Sequence, residues 1–121
     1  MKLEKLMAFR CMDAPRHIYV ALFDENRAGD DMVLVNFTTL RDTCIDSACI
    51  LTPADYGELT HETTVAYSRA MLGKKSLMEH AITAGHFVRL ADIPLATWLR
   101  IVASAHNSNE LSSKYKIILP R

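Results

Sequence analysis

Two apolar runs joined by a short polar connection limit what this chain can fold into more than any other feature. His17–Phe23 (His-Ile-Tyr-Val-Ala-Leu-Phe) and Met32–Phe37 (Met-Val-Leu-Val-Asn-Phe) are rich in β-branched and aromatic residues, the side chains that suit a pleated surface. The first run is continuous rather than alternating, so it reads as a strand covered on both faces. Asp24–Asp31 places Asp, Asn and Gly at turn positions between the two runs, which makes them an antiparallel hairpin.

Around this hairpin the sequence predicts further short strands at Ala48–Leu51, Thr63–Tyr67 and His86–Leu90, with Ala66–Leu72 a possible continuation of the second of these and Gly73 a break. Helices are expected later. Ser76-Leu77-Met78-Glu79 has the Ser-x-x-Glu form of a capping box, and a helix from there should reach about Ala84 with Gly85 as its stop. Asp92 is expected to open a second helix with Pro94 in its first turn. In that helix Leu95, Trp98, Leu99 and Val102 fall at i, i+3, i+4 and i+7, the spacing of one apolar face, with Trp98 as its anchor on the sheet. Met1–Pro15 reads as an irregular lead-in, and Lys114–Leu119 as either an edge strand or a short last helix. The expected fold is α+β and mainly β: one domain over residues 1–121, a small, partly open barrel or curled sheet with helices packed on one side.

Half of the 121 residues are hydrophobic and 23% are charged, which fits one packed domain and argues against disorder. Lys2, Glu4, Lys5 and Arg10 interrupt the first segment, and no run approaches the ~18 to 20 apolar residues of a membrane span. A cytoplasmic protein is therefore expected. Cys11, Cys44 and Cys49 show no CxxC spacing, so neither a disulfide framework nor a zinc knuckle is suggested. The formal charge is zero but unevenly spread. Residues 31–66 carry one cation against six acids, a net −5, and residues 67–121 carry eight against three, a net +5. That balance speaks against general nucleic-acid affinity, although folding can still gather one basic face.

The reactive polar side chains concentrate in Leu51–Arg69. Pro53 and Gly57 mark a turn that holds Asp55, Tyr56, Glu58 and His61. The five histidines are scattered without HExxH or calcium-loop spacing, so no metal site is expected. GxGxxG, Walker and nucleophile-elbow motifs are absent too, and no cofactor is expected. What these residues can support is acid–base chemistry on a phosphodiester. Asp55 or His61 would take the proton of a ribose 2′-hydroxyl, while Arg41, Thr38 and Thr39 stabilise charge on the phosphate. The same residues also have plain readings, as an Asx turn, a loop histidine and strand-end hydroxyls. A ribonuclease, a non-catalytic barrel that binds a protein or nucleic acid, and a structural protein with no site all remain open.

Four stretches, His17–Leu22, Val33–Asp42, Cys49–Tyr56 and His61–Ala70, give the chain a layout that resembles a divergent branch of the PemK/MazF-like toxins of bacterial toxin–antitoxin systems. The likeness spans roughly residues 16–105. It implies an SH3-like barrel with late helices, usually a homodimer, that cleaves single-stranded RNA without a metal and is neutralised by an antitoxin peptide laid in the RNA groove. By this resemblance Asp55, His61 and Tyr67 fit the branch's Asp and His-x-x-(Ser/Thr)-Val-x-Tyr pattern, Thr38 and Thr39 fill the phosphate-contacting hydroxyl position, and Tyr56 stands where a histidine is expected. The Arg-Pro pair that opens the second strand in the main family is replaced by Asp31-Met32, so its arginine would have to be supplied by Arg41 or Arg69.

Overall fold

A computed structural model describes all residues, Met1–Arg121. Its elements are β1 (Phe9–Cys11), β2 (Ile18–Leu22), β3 (Asp31–Thr39), β4 (Ile50–Leu51), β5 (Thr63–Val65), a 3-10 turn at Tyr67–Arg69, β6 (Met71–Lys74), α1 (Lys75–Thr83), β7 (Phe87–Arg89), α2 (Leu95–Asn107) and α3 (Ser113–Lys116). No helix is long and apolar enough to cross a membrane.

The protein is α+β, with one seven-stranded sheet in the order β4-β5-β3-β2-β1-β7 that does not close on itself. Every pairing in it is antiparallel. The organising element is β3, nine residues long. One of its edges pairs with β2 as the expected hairpin; the other is divided between β6, along Asp31–Leu34, and β5, along Phe37–Thr39.

Alternation along β3 sends Val33, Val35 and Phe37 to one face and Met32 and Leu34 to the other. The first face packs with Ile18, Val20, Leu22 and Val65 against Trp98, Ile101, Val102 and Ala105 of α2. The second packs with Phe9, Ala21 and Phe23 against Met78 and Ile82 of α1. The hairpin is thus covered on both sides, as its continuous apolar run predicts, and the helices lie on both faces of the sheet rather than on one. At ~25 cal/mol per Å² of buried apolar surface, both layers contribute substantially to stability.

Other expectations need correction. The lead-in of residues 1–15 is irregular except at Phe9–Cys11, which form a strand: β1 lies between β2 and β7, and Ala8 and Phe9 are fully buried. A three-residue strand is too short to show a period. Gly73 does not end a strand but sits within β6 opposite Met32, where a Cβ would come within 3.1 Å of the Met32 Cε. The segment after β5 turns through 3-10 geometry instead of extending to Leu72.

Ser76 and Glu79 do not form a capping box. The Asp30 carboxylate accepts from the Ser76 amide (3.0 Å) and hydroxyl, while Glu79 accepts from the Leu3 amide at 2.6 Å. A distant acid thus caps α1 and ties it to the end of the β2–β3 connection. Gly85, at φ +87°, ends α1 as expected. Asp92 lies outside α2, which begins at Leu95, and pairs instead with Arg89. Residues 113–116 form a short helix, the second of the two readings left open for this segment.

Candidate functional site

The turn after β4 is built on Asp55. One of its carboxylate oxygens accepts from the Thr52 amide at 2.8 Å, the other accepts from Arg100 Nη1 at 2.9 Å, and its carbonyl accepts from the Thr97 hydroxyl at 2.7 Å. Arg100 also donates to the Ile50 carbonyl at 2.9 Å. Asp55 therefore fastens the loop to α2, and its carboxylate is already engaged on both oxygens. The Thr52 amide, followed by the Arg100 charge, holds its pKa below the ordinary 3.8.

A depressed folded pKa means stability that is full above the ordinary value and lost as pH falls through the folded one. Asp55→Asn should consequently melt below wild type at pH 7, with the difference closing as the pH is lowered beneath the carboxylate range. Thermal melts across pH measure this. A difference independent of pH would refute the role of the charge.

Two aromatic residues of the same region are structural. The Tyr56 hydroxyl donates to the Ala91 carbonyl at 2.5 Å, and the Tyr67 hydroxyl donates to the Ile101 carbonyl at 2.6 Å. Both side chains are buried, and burial raises both phenol pKa values. Tyr67, expected among the substrate contacts, instead packs under α2.

The remaining expected residues meet at the end of β3. Thr38 and Thr39 form a crest between two shallow grooves. On one side lies a groove of about 140 Å³ that holds His61 beside Arg10, Arg16 and His17, with Glu58 and Thr63 on its wall. On the other side Arg41 and Arg69 flank Ser68 and Asp46. His61, Arg16, Arg41 and Arg69 are exposed, and Arg10 and His17 are partly so. Arg41 and Arg69 thus share a groove with each other rather than with His61, and neither groove includes Asp55.

Local structure explains how each side chain arrives there. The β1–β2 hairpin carries Arg10, Arg16 and His17; the Cys11 amide donates to the His17 carbonyl at 3.0 Å, and Arg10 Nη1 donates to the Arg16 carbonyl at 3.0 Å. Antiparallel pairing of β2 with β3 then sets this hairpin end next to Thr38 and Thr39. On the far side, Asp46 is buried and accepts from the Ser68 amide (2.9 Å) and hydroxyl (2.5 Å), which fixes the 3-10 turn that presents Arg69.

The ion pairs of the molecule are Lys74–Asp31, Arg89–Asp92 and Arg100–Asp55. Arg10, Arg16, Arg41 and Arg69 take part in none of them. Four guanidiniums without carboxylate partners therefore surround two threonines, and two imidazoles stand in one of the adjoining grooves. Such a surface attracts phosphate oxygens and can move protons beside them.

No family model, curated protein or solved structure matches this chain. The site therefore rests on its own geometry. Sequence reasoning missed Arg10, Arg16 and His17 because they lie in and just beyond a segment read as unstructured. The available signal was a cluster of three basic side chains within eight residues, brought together once a turn is placed between them.

Proposed function

We propose that the protein is a metal-independent endoribonuclease that acts on single-stranded RNA at the end of β3. The observation that carries this reading is the set of four unpaired arginines around Thr38 and Thr39 with His17 and His61 alongside. The overall charge of zero is no obstacle at these side chains: Asp31, Asp55 and Asp92 are each bound to another cation, and the acids that line the two grooves, Glu58 and Asp46, are engaged by the Ala91 amide and by Ser68.

In this reading the RNA backbone crosses the crest, with its phosphates against Arg10 and Arg16 on one side and Arg41 and Arg69 on the other. One imidazole accepts the proton of the ribose 2′-hydroxyl, and O2′ forms its bond to phosphorus. The P–O5′ bond breaks as the other imidazole, protonated, gives its proton to O5′. The products are a 2′,3′-cyclic phosphate and a 5′-hydroxyl end. Guanidinium and threonine donors stabilise the charge that builds on the non-bridging oxygens. His17 takes the place that the sequence gives to Asp55, whose carboxylate is held by Arg100.

The resemblance of the stretches around Thr38, Thr39 and His61 to the PemK/MazF-like toxins supports the further proposal of a divergent member of that family with an SH3-like arrangement of its open sheet. It would act in the cytoplasm as a homodimer, with an antitoxin peptide occupying the RNA groove.

Replacing Arg10 and Arg16 with alanine tests the phosphate contacts. Each phosphate contact to a single strand contributes about −0.7 to the slope of log affinity against log salt, so the double variant should bind a single-stranded oligonucleotide more weakly and with a slope shallower by about 1.4. An unchanged slope would remove both arginines from the RNA path.

A further inference from the structure

The face of the sheet that carries α1 is covered unevenly. Met78 and Ile82 of α1 lie over Met32 and Leu34 at one end. Beyond them along β3 come Asn36 and Thr38, on the same side as Leu34 by alternation. Asn36 is the cross-strand partner of Tyr19, so the two side chains project together. Tyr19 is half-buried and meets Phe87 of β7 edge to face, with ring centroids 5.8 Å apart.

Asn36 is only 4% exposed, and its side-chain amide nitrogen has no hydrogen-bond partner. It is the one buried side-chain nitrogen or oxygen left in that condition. An amide with unused donors in a buried place calls for a partner, an ordered water or a ligand group. Thr38, on the same side of β3 as Asn36, lines the groove of Arg41 and Arg69 and so joins this surface to it, and the Arg69 charge opposes the upward push that burial gives the Tyr19 phenol. A neutral amide beside a half-buried aromatic ring is suited to a nucleobase, and the neighbouring guanidiniums to its phosphates.

We propose that Tyr19 and Asn36 form a nucleobase subsite for single-stranded RNA, in which Tyr19 stacks on the base and Asn36 hydrogen-bonds its edge. This rests on the reading of the β3 end as an RNA groove. It adds base contacts, on the opposite face from His61, to a site otherwise made of backbone contacts.

The test compares the full chain with Asn36→Leu and Tyr19→Leu. Each binds short single-stranded homopolymers of adenosine, cytidine and uridine, and an oligomer of equal length that lacks bases. Wild type should prefer at least one base-bearing oligomer by about tenfold or more. Each variant should lose that preference while binding the abasic oligomer as wild type does. Asn36→Leu should also melt no lower than wild type, because it removes an unsatisfied amide and keeps the volume.

Unchanged binding of every oligomer by both variants would overturn the subsite and leave the phosphate-binding groove standing. A lower melting temperature for Asn36→Leu with its base preference intact would make the amide structural and overturn its part. Failure of wild type to bind any of the oligomers would remove the RNA reading and this subsite with it.

Discussion

His61→Ala and His17→Ala are each expected to slow RNA cleavage by about 10² to 10⁴, the usual contribution of a positioned acid or base, while melting within about 0.5 kcal/mol of wild type. His61 is exposed and His17 partly so, and neither imidazole bonds to another group of the protein, so their loss should leave packing undisturbed. The double variant should be little slower than the worse single one, because residues that act as a unit are not additive. The affinity for an uncleavable single-stranded oligonucleotide should stay close to wild type in all three, since the arginines remain. Cleavage at wild-type rate in either single variant would exclude that imidazole from the chemistry. Weakened binding with cleavage unchanged at saturating RNA would make it a contact residue instead.

The second large effect is on the fold. Trp98→Ala should cost about 3 to 5 kcal/mol and lower the melting temperature by roughly 10 °C or more. Trp98 is 3% exposed and belongs to the core formed by α2 and the first face of the sheet. Leu99→Ala should stay within about 0.5 kcal/mol of wild type, because Leu99 is 57% exposed. The pair tests which face of α2 is buried. Equal losses in the two variants would contradict the observed phase of the helix. The Trp98 variant should also loosen the loop after β4, since neighbouring Thr97 and Arg100 are its ties to Asp55.

That phase shows what could and could not be read in the sequence. The spacing 95, 98, 99, 102 correctly gives a helix with Trp98 as anchor, but Leu95 and Leu99 are both more than half exposed. The buried stripe is Trp98, Ile101, Val102 and Ala105, set at the same spacing, with Thr97 at its border. Two equivalent stripes overlap in such a helix, and leucine content chooses poorly between them. The observed phase buries Ile101 and Ala105 fully and lets the Thr97 hydroxyl donate to the Asp55 carbonyl.

The strands divide in a similar way. β2 and β3 were legible because each is long and β-branched, and their pairing follows from the turn between them. β1 and β6 were not. Phe9–Cys11 and Met71–Lys74 contain no β-branched residue, and they are strands because β2, β7 and β3 offer them an edge. Missing β1 also hid Arg10, Arg16 and His17 from the site. Thr38, Thr39 and His61 were legible as candidates because they sit where the chain leaves the sheet. Asp55 was legible as a turn residue, but its ion pair with Arg100 depends on contacts 45 residues apart that no local pattern encodes. The orphaned amide of Asn36 is likewise a product of tertiary burial.

The proposed chemistry is metal-free cleavage of RNA at the crest of Thr38 and Thr39, with His17 and His61 beside it. It is tested most directly by incubating the purified protein with single-stranded RNA in excess chelator, beside His61→Ala, and identifying the product ends. Wild type should give fragments with 2′,3′-cyclic phosphate and 5′-hydroxyl ends, the variant little or none, and neither should cleave a 2′-deoxy strand. Intact RNA after incubation with folded wild-type protein, or fragments that form equally in the His61 variant, would contradict it.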